Sequence, residues 1–164
     1  MKYINIISMC CILFVGACGF SPLYGSGSSV SNSTIAHLSL IKINSIKDRA
    51  GQQLHNMLLD RLSPRGESNK PLYTLTTILS ISKGSLGIQR DSSTTRAKLT
   101  IVTNMELTDN KGQKLTGFSI RSTSGYSLTD TPYATQSAEA DATIRSLREI
   151  SEKARLRLAA FFSK

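Results

Sequence analysis

Three segments of the chain alternate apolar and polar residues, and a fourth is rich in apolar residues without a clear alternation. Successive side chains of a strand point to opposite faces of a sheet, so this alternation predicts strands with a covered face. We expect strands at residues 35–46, 72–82, 95–108 and 113–125. The first has apolar residues on both faces, which indicates a covered strand or a bulge near Leu40. The residues of the third that are predicted to face inward are Ala97, Leu99, Ile101, Met105 and Leu107.

Two further segments repeat apolar residues every three or four positions, which is the spacing of an amphipathic helix. The first runs from about residue 49 to residue 62, where Asp48 can cap its start and Pro64 stops its continuation. The second runs from about residue 132 to residue 161, with Pro132 at the first helical position. Its predicted buried stripe consists of Ala140, Ile144, Leu147, Ile150, Ala154 and Leu158.

The connections complete the predicted fold. Residues 83–93 are polar and contain glycine, which predicts a long connection, and Asp109-Asn110-Lys111-Gly112 predicts a tight turn. The apolar frame changes in the last strand, so a bulge is expected at Gly117. The order is strand, helix, three strands, helix. We therefore expect an α+β fold, with two amphipathic helices packed on one face of a four-stranded, mostly antiparallel sheet, and a single domain over residues 35–164.

The first 17 residues are typical of a bacterial signal peptide, with Lys2 followed by an apolar run at residues 4–15. That run is too short for a transmembrane helix, which needs about 18 or more residues. Val15-Gly16-Ala17-Cys18 has the aliphatic, small, small, cysteine pattern of a lipobox. Cys18 is therefore predicted to carry a covalent lipid after removal of residues 1–17; the alternative is an ordinary buried cysteine. Residues 18–34, rich in glycine and serine, are expected to be a flexible tether.

The formal net charge of the chain is +9 over 164 residues. Loss of the signal peptide removes one lysine and leaves +8. A basic chain suggests nucleic acid as a partner, but an exported lipoprotein does not meet the genome. We expect no nucleic acid, and instead the membrane surface or lipopolysaccharide phosphates as anionic partners. Cys10 and Cys11 leave with the signal peptide, so no intramolecular disulfide is expected.

The sequence does not contain a recognisable catalytic or metal-binding pattern. His37 and His55 have no second ligand at useful spacing, and no nucleophile-elbow motif occurs. Gly84-Ser85-Leu86-Gly87 lacks the downstream lysine of a phosphate-binding loop. We therefore expect a protein that is not an enzyme and that holds no cofactor apart from the lipid on Cys18.

Two stretches carry a resemblance to a known family. The run Cys18-Gly19-Phe20-Ser21-Pro22-Leu23-Tyr24-Gly25 resembles the start of mature lipopolysaccharide-assembly lipoproteins of the LptE family, in the form found in alphaproteobacteria. Residues 133–142, which begin Tyr-Ala-Thr-Gln-Ser and continue with alternating alanine and acid, are similar to the start of that family's last helix. The predicted order of elements agrees with the family as well.

This resemblance implies an outer-membrane lipoprotein that plugs the lipopolysaccharide-assembly β-barrel LptD, assists assembly of that barrel and helps to insert lipopolysaccharide into the outer leaflet. Gly19 stands where inner-membrane retention signals usually have aspartate, so an outer-membrane anchor is expected, with the domain facing the periplasm or inside the barrel. The alternative is a periplasm-facing adaptor for another outer-membrane complex, such as a secretin pilotin or a barrel-assembly accessory.

Two sets of residues are candidates for contact with these partners. Apolar residues after the lipidation site are expected to dock on the barrel, because they are costly to leave in water: Phe20, Pro22, Leu23 and Tyr24. Basic residues of the hairpins are expected to contact lipopolysaccharide: Arg90, Arg96, Lys98, Lys111, Lys114 and Arg121. Arg90, Arg96 and Lys98 are the preferred cluster, because Lys111 and Lys114 should lie at the opposite end of the same strand.

We predict that Cys18→Ala abolishes stable membrane anchoring and leaves the folded domain unchanged. A single acyl chain binds a membrane only marginally, and two or more give a stable anchor, so a chain without lipid is released. Fractionation of cells that lack the partner barrel measures this. A variant that still sediments quantitatively with the outer membrane would show that Cys18 is not the anchor.

Overall fold

The computed structural model describes residues 29–87 and 96–163 and has three helices and four strands over those ranges. Their order is α-β-α-β-β-β-α, so the predicted α+β class is confirmed, with one helix more than expected. The elements are α1 (Ser29–Ser39), β1 (Ile41–Ile43), α2 (Asp48–Leu62), β2 (Tyr73–Gly87), β3 (Arg96–Asp109), β4 (Lys114–Ser127) and α3 (Pro132–Phe162).

The four strands form one sheet in the order β1-β2-β3-β4. β1 is parallel to β2, with Ile41 opposite Tyr73, and α2 is the crossover that such a parallel pair requires. The other two pairs are antiparallel: Tyr73 lies opposite Asp109, and Arg96 lies opposite Ser127. Three long strands of a meander thus form most of the sheet.

Helices α2 and α3 cover one face of this sheet. All five residues of β3 that were predicted to face inward are buried, which confirms the register inferred from alternation. They pack with the apolar rows of α2 and α3, of which the fully buried members include Leu54, Leu58, Leu147, Ile150 and Leu158. The core therefore lies between the helices and the sheet, and the opposite sheet face is left uncovered.

The buried stripe of α3 differs from the prediction in its first half. Ala140 is exposed and Ile144 is only partly buried, whereas Ala142 and Ser146 are buried. The prediction selected apolar residues. Where α3 lies close to the sheet, however, a side chain is buried because it is small, as Ala142 and Ser146 are, and not because it is hydrophobic. The hydroxyl of Ser146 is satisfied there, because its Oγ lies 2.8 Å from Oγ of Ser124 in β4.

The predicted first strand is wrong over most of its length. Residues 35–39 are helical, and only Ile41–Ile43 form a strand. Leu38 belongs to the inner face of this helix, where Thr34 is buried four residues before it. Ile41 and Ile43, two further apolar positions, are the two buried residues of the short strand. The serines at 29–33, expected to be flexible coil, form the start of α1.

The meander differs from the prediction at two places. β2 continues five residues past Ser82 to Gly87, because the partner β3 supplies backbone hydrogen bonds to a segment of low strand propensity. The bulge lies at Leu115, where Leu107 pairs with Thr116 and Thr108 pairs with Lys114; Gly117 pairs regularly.

The tight turn between β3 and β4 is confirmed. Gly112 has a φ of 81°, which glycine adopts without strain. The Asp109 carboxylate accepts hydrogen bonds from the backbone N–H of Lys111 at 2.9 Å and of Gln113 at 2.8 Å.

The start of α2 is built differently from the predicted Asp48 cap. The cap position is occupied by Lys47, which makes no side-chain cap hydrogen bond, and Asp48 has a φ of 68° as the first helical residue. This geometry folds the preceding chain back onto the helix. A Cβ at Gly51 would lie 2.7 Å from Cγ2 of Ile46 and 3.0 Å from its carbonyl carbon, so only glycine fits without a shift.

We predict that Leu147→Asp unfolds the domain or destabilises it by more than about 4 kcal/mol, because it places an unpaired carboxylate in the core. Leu147 is 0% exposed, whereas Leu156, nine residues further along α3, is 52% exposed. Leu156→Asp is the matched control and should change the free energy of unfolding by less than about 1 kcal/mol. Thermal and urea melts measure both. Equal melts for the two variants would contradict the packing of α3 on the sheet.

Candidate functional site

The uncovered face of the sheet is a polar, hydrogen-bonding surface. Its side chains come from alternate residues of β2, β3 and β4, and hydroxyl groups meet across the strands. The Oγ1 atoms of Thr100 and Thr123 are 3.3 Å apart, and Asn44 Nδ2 donates to Oγ1 of Thr76 at 3.0 Å. Ile78, which is 65% exposed, is its most exposed large apolar residue among those that the structure describes. We call this surface the open face.

Two of the predicted cations lie at one end of the open face. Arg96 and Lys98 begin β3, and both side chains are exposed because their odd-numbered neighbours Ala97 and Leu99 are buried. Lys98 lies opposite Gly84 of β2 and Gly125 of β4. Because neither neighbour has a side chain, the lysine ammonium is open to an approaching ligand.

The other predicted cations of β4 lie further along. Arg121 is exposed in mid-strand, four residues and about 13 Å from the point opposite Lys98. Lys111 lies in the turn at the far end. Lys114, also at that end, is 2.6 Å from a Glu106 carboxylate oxygen, so its charge is already paired. About 27 Å of strand separates Lys98 from Glu106, and the two predicted groups of cations are therefore at opposite ends.

The acidic residues of the described chain pair mostly on the helix side of the sheet. Hydrogen bonds from Lys153 and from the Ser122 hydroxyl lower the pKa of Glu149. A hydrogen bond from Arg155, and a weaker contribution from Arg61, lower the pKa of Glu152. Glu106 is the one acid among the described strand residues of the open face, and Lys114 neutralises it. Arg96, Lys98 and Arg121 consequently lie on a surface without opposing charge in the described residues.

A shallow concavity of about 470 Å³ lies near the turn end of the sheet. Gly117 is part of its lining, and a Cβ there would lie 3.1 Å from Cε of Lys114. Gly117, expected from the sequence at a bulge, therefore contributes to a depression that the sequence did not predict. Its remaining lining is Thr76, Ile78, Asn104, Met105, Glu106, Lys114 and Phe118.

The two histidines lie in different helices, His37 in α1 and His55 in α2. The His37 ring stacks on Phe162 at 5.2 Å, and its Nδ1 is 3.3 Å from the Tyr73 hydroxyl. These contacts join α1 to the end of α3. Over residues 29–87 and 96–163 no cluster of three or more metal-ligating side chains occurs.

Some predicted site residues lie outside the residues that the structure describes. They are Cys18, Phe20, Pro22, Leu23, Tyr24 and Arg90. Among the described helices, none is long and apolar enough to cross a membrane.

Comparison with protein families gives one match. The model of the LptE family, described as lipopolysaccharide-assembly, matches residues 35–158. This range reaches from the middle of α1 to the last turns of α3 and includes all four strands. No curated protein sequence matches the chain.

Several solved structures share the fold. A protein described as a lipoprotein from Caulobacter crescentus CB15 superposes with a TM-score of 0.67 at 23% identity, over 80% of this chain and 96% of that chain. A minor lipoprotein from Acinetobacter baumannii gives 0.61 at 13% identity, covering 73% and 90%. Rare lipoprotein B from Shewanella oneidensis gives 0.59 at 13% identity, covering 73% and 93%. At these identities the likeness is one of fold.

Proposed function

Since the chain belongs to the LptE family of lipopolysaccharide-assembly proteins, we propose that it is an outer-membrane lipoprotein that plugs the β-barrel LptD, assists assembly of that barrel and takes part in inserting lipopolysaccharide into the outer leaflet. The observation that carries this proposal is the family match across nearly the whole described domain. A role in lipopolysaccharide assembly follows from the family. The barrel partner, the plug geometry and the contact residues are the proposal.

The character of the open face supports a position inside a barrel. The interior of a membrane β-barrel is polar, so a plug needs a surface that offers hydrogen bonds rather than apolar area. The open face is rich in threonine and serine hydroxyls, and its apolar residues are few. Such a surface can lie against a wet, polar wall without burying unsatisfied groups.

The length of the sheet supports a lipopolysaccharide contact at Arg96 and Lys98. β1 and the end of α1 lie at the Tyr73–Asp109 end of the sheet, and Arg96 lies thirteen residues along β3 from Asp109. That is up to about 44 Å of strand, similar to the 40–45 Å thickness of a bilayer with its headgroups. A domain anchored through its N-terminus would therefore carry these cations to the opposite leaflet, whereas Lys111 and Lys114 would stay near the anchor.

The chemistry of Arg96, Lys98 and Arg121 suits the phosphates of lipopolysaccharide. Arginine donates paired hydrogen bonds to phosphate oxygens, and lysine provides a point charge. Arg96, Lys98 and Arg121 meet no opposing carboxylate among the described residues, so a phosphate would not have to displace an existing ion pair.

We predict that Arg96→Glu/Lys98→Glu weakens lipopolysaccharide binding by about tenfold or more, because each lost charge-assisted hydrogen bond contributes about 1.5–3 kcal/mol. Wild-type binding should also fall as salt rises. Titration of the purified, unlipidated protein with lipopolysaccharide at two salt concentrations measures both effects.

The matched control is Lys111→Glu/Lys114→Glu, which reverses the same number of charges at the other end of the sheet. It should reduce binding much less, and neither variant should shift the thermal melt strongly, since exposed charges contribute little to stability. If both variants bind as the wild type does, the open face does not recognise lipopolysaccharide.

We predict that the native lipoprotein co-purifies with LptD after mild detergent extraction of the outer membrane. Quantitative mass spectrometry of the eluate, with a Cys18→Ala strain as comparison, measures this. Recovery of a secretin or of another barrel in place of LptD would support the alternative function as an adaptor, and the plug proposal would then be wrong.

A further inference from the structure

A second concave region lies on the helix side, away from the open face. It is a groove of about 580 Å³ between α1 and the chain that follows α2. Ile35, Ala36 and Ser39 of α1 form one wall, and Leu62 and Pro64 contribute to the other. Ile35 is 58% exposed, so a large apolar side chain faces water at this groove. A segment that occupied the groove would remove this apolar area from water, which favours docking there.

The chain before α1 places a suitable segment beside the groove. Ile35 lies six residues after Ser29, where α1 begins, which is about 9 Å along the helix axis. The four residues before Ser29 read Gly-Ser-Gly-Ser, a flexible linker with an r.m.s. span of about 11 Å. Immediately before that linker comes the apolar run Phe20-Ser21-Pro22-Leu23-Tyr24. The linker is thus long enough for the run to turn back and reach Ile35.

We propose that residues 20–24 of this chain fold back along α1 and occupy the groove. Phe20, Leu23 and Tyr24 supply apolar side chains to an apolar wall. Pro22 restricts Ser21 to extended conformations, which lowers the entropy that docking costs. The short tether gives an effective concentration in the millimolar range, so even a weak contact is well populated.

Docking would fix the orientation of the domain relative to its membrane anchor. Without it, the eleven residue steps from Cys18 to Ser29 can extend to about 36 Å, and the domain is free to rotate. With residues 20–24 in the groove, Cys18 leaves the domain beside the loop at Pro64 and Arg65. The lipid then lies close to the α1 end of the sheet, and the tether no longer averages over orientations.

This inference concerns the free lipoprotein and does not depend on the proposed function. A barrel partner could compete with the groove for the same five residues. The experiment below contains neither lipopolysaccharide nor barrel, so its failure leaves the function proposed above untouched.

The test uses the chain from Cys18 onward without lipid, which retains every described residue. Cys18 is its only cysteine, because Cys10 and Cys11 are lost with the signal peptide, so a nitroxide label attaches at one position. NMR then measures the paramagnetic broadening of signals from Ala36 and Leu62 in the groove. Both should broaden strongly, whereas Ala97, about 41 Å along β3 from Asp109, should stay sharp.

Three variants make the result specific. Leu23→Ser removes an apolar side chain of the segment and alters none of the described contacts. Ile35→Asp changes the groove. Each should lower the equilibrium constant for docking, obtained from the broadening, by about tenfold, which corresponds to 1.4 kcal/mol. Ile78→Asp is the matched control, because it changes an isoleucine of similar exposure on the open face, and it should behave as the wild type does.

Three results would overturn the proposal. The signals of Ala36 and Leu62 could stay sharp in the wild type, or they could broaden equally in all variants because of the tether alone. In the third, the groove signals shift only when lipidated protein is measured in detergent micelles, and an acyl chain is then the occupant. A thermal melt checks that Ile35→Asp folds, and if it does not, Leu23→Ser decides the question.

Discussion

The burial of a single face of the sheet under α2 and α3 is the constraint on which the other features of this protein depend. Leu75, Leu99, Ile101 and Leu107 are fully buried on that face. Because side chains of a strand alternate, their burial places Arg96, Lys98 and hydroxyl residues such as Thr76 and Thr100 on the opposite face. A slip of one residue would bury these cations and expose the leucines. The apolar core therefore fixes the composition of the open face.

The sequence alone was sufficient to predict an element where the residues of a segment fitted only one type of secondary structure. The inward positions of β3 fit only the period of a strand, and the apolar row of α2 fits only the period of a helix. The residue types from Asp109 to Gly112 fit only a turn. The structure confirms all three. The segment around Leu38 fitted two periods. Its apolar residues suit a covered strand as well as a helix, and the contact of His37 with Phe162, 125 residues further on, is a tertiary interaction that no local pattern reveals. The extension of β2 past Ser82 has the same origin, because strand β3 stabilises it.

The candidate site was predictable in its residue types and less so in its arrangement. A net charge of +9 indicated an anionic partner, but it could not show which cations were already paired. The structure pairs Lys83, Lys153 and Arg155 with acids of α3, and Lys114 with Glu106. These pairings separate Lys114 from Arg96, Lys98 and Arg121, although all four look alike in sequence. The concavity at Gly117 and the groove at Ile35 arise from packing between distant segments, so neither has a signal in the sequence.

In the proposed arrangement the two ends of the sheet would have different tasks, and the mode of anchoring would connect them. α1 and β1 lie at one end, and the unpaired cations of β3 lie up to about 44 Å away at the other. A flexible tether would let the domain rotate about its lipid, and the height of Arg96 above the membrane would then vary by tens of ångströms. A tether held in the groove at Ile35 would remove most of that freedom. The cations would then meet their ligand at a defined depth, and the entropy of orienting the domain would already be lost before a partner binds. Anchoring and recognition would thus be coupled through α1, even though no residue takes part in both.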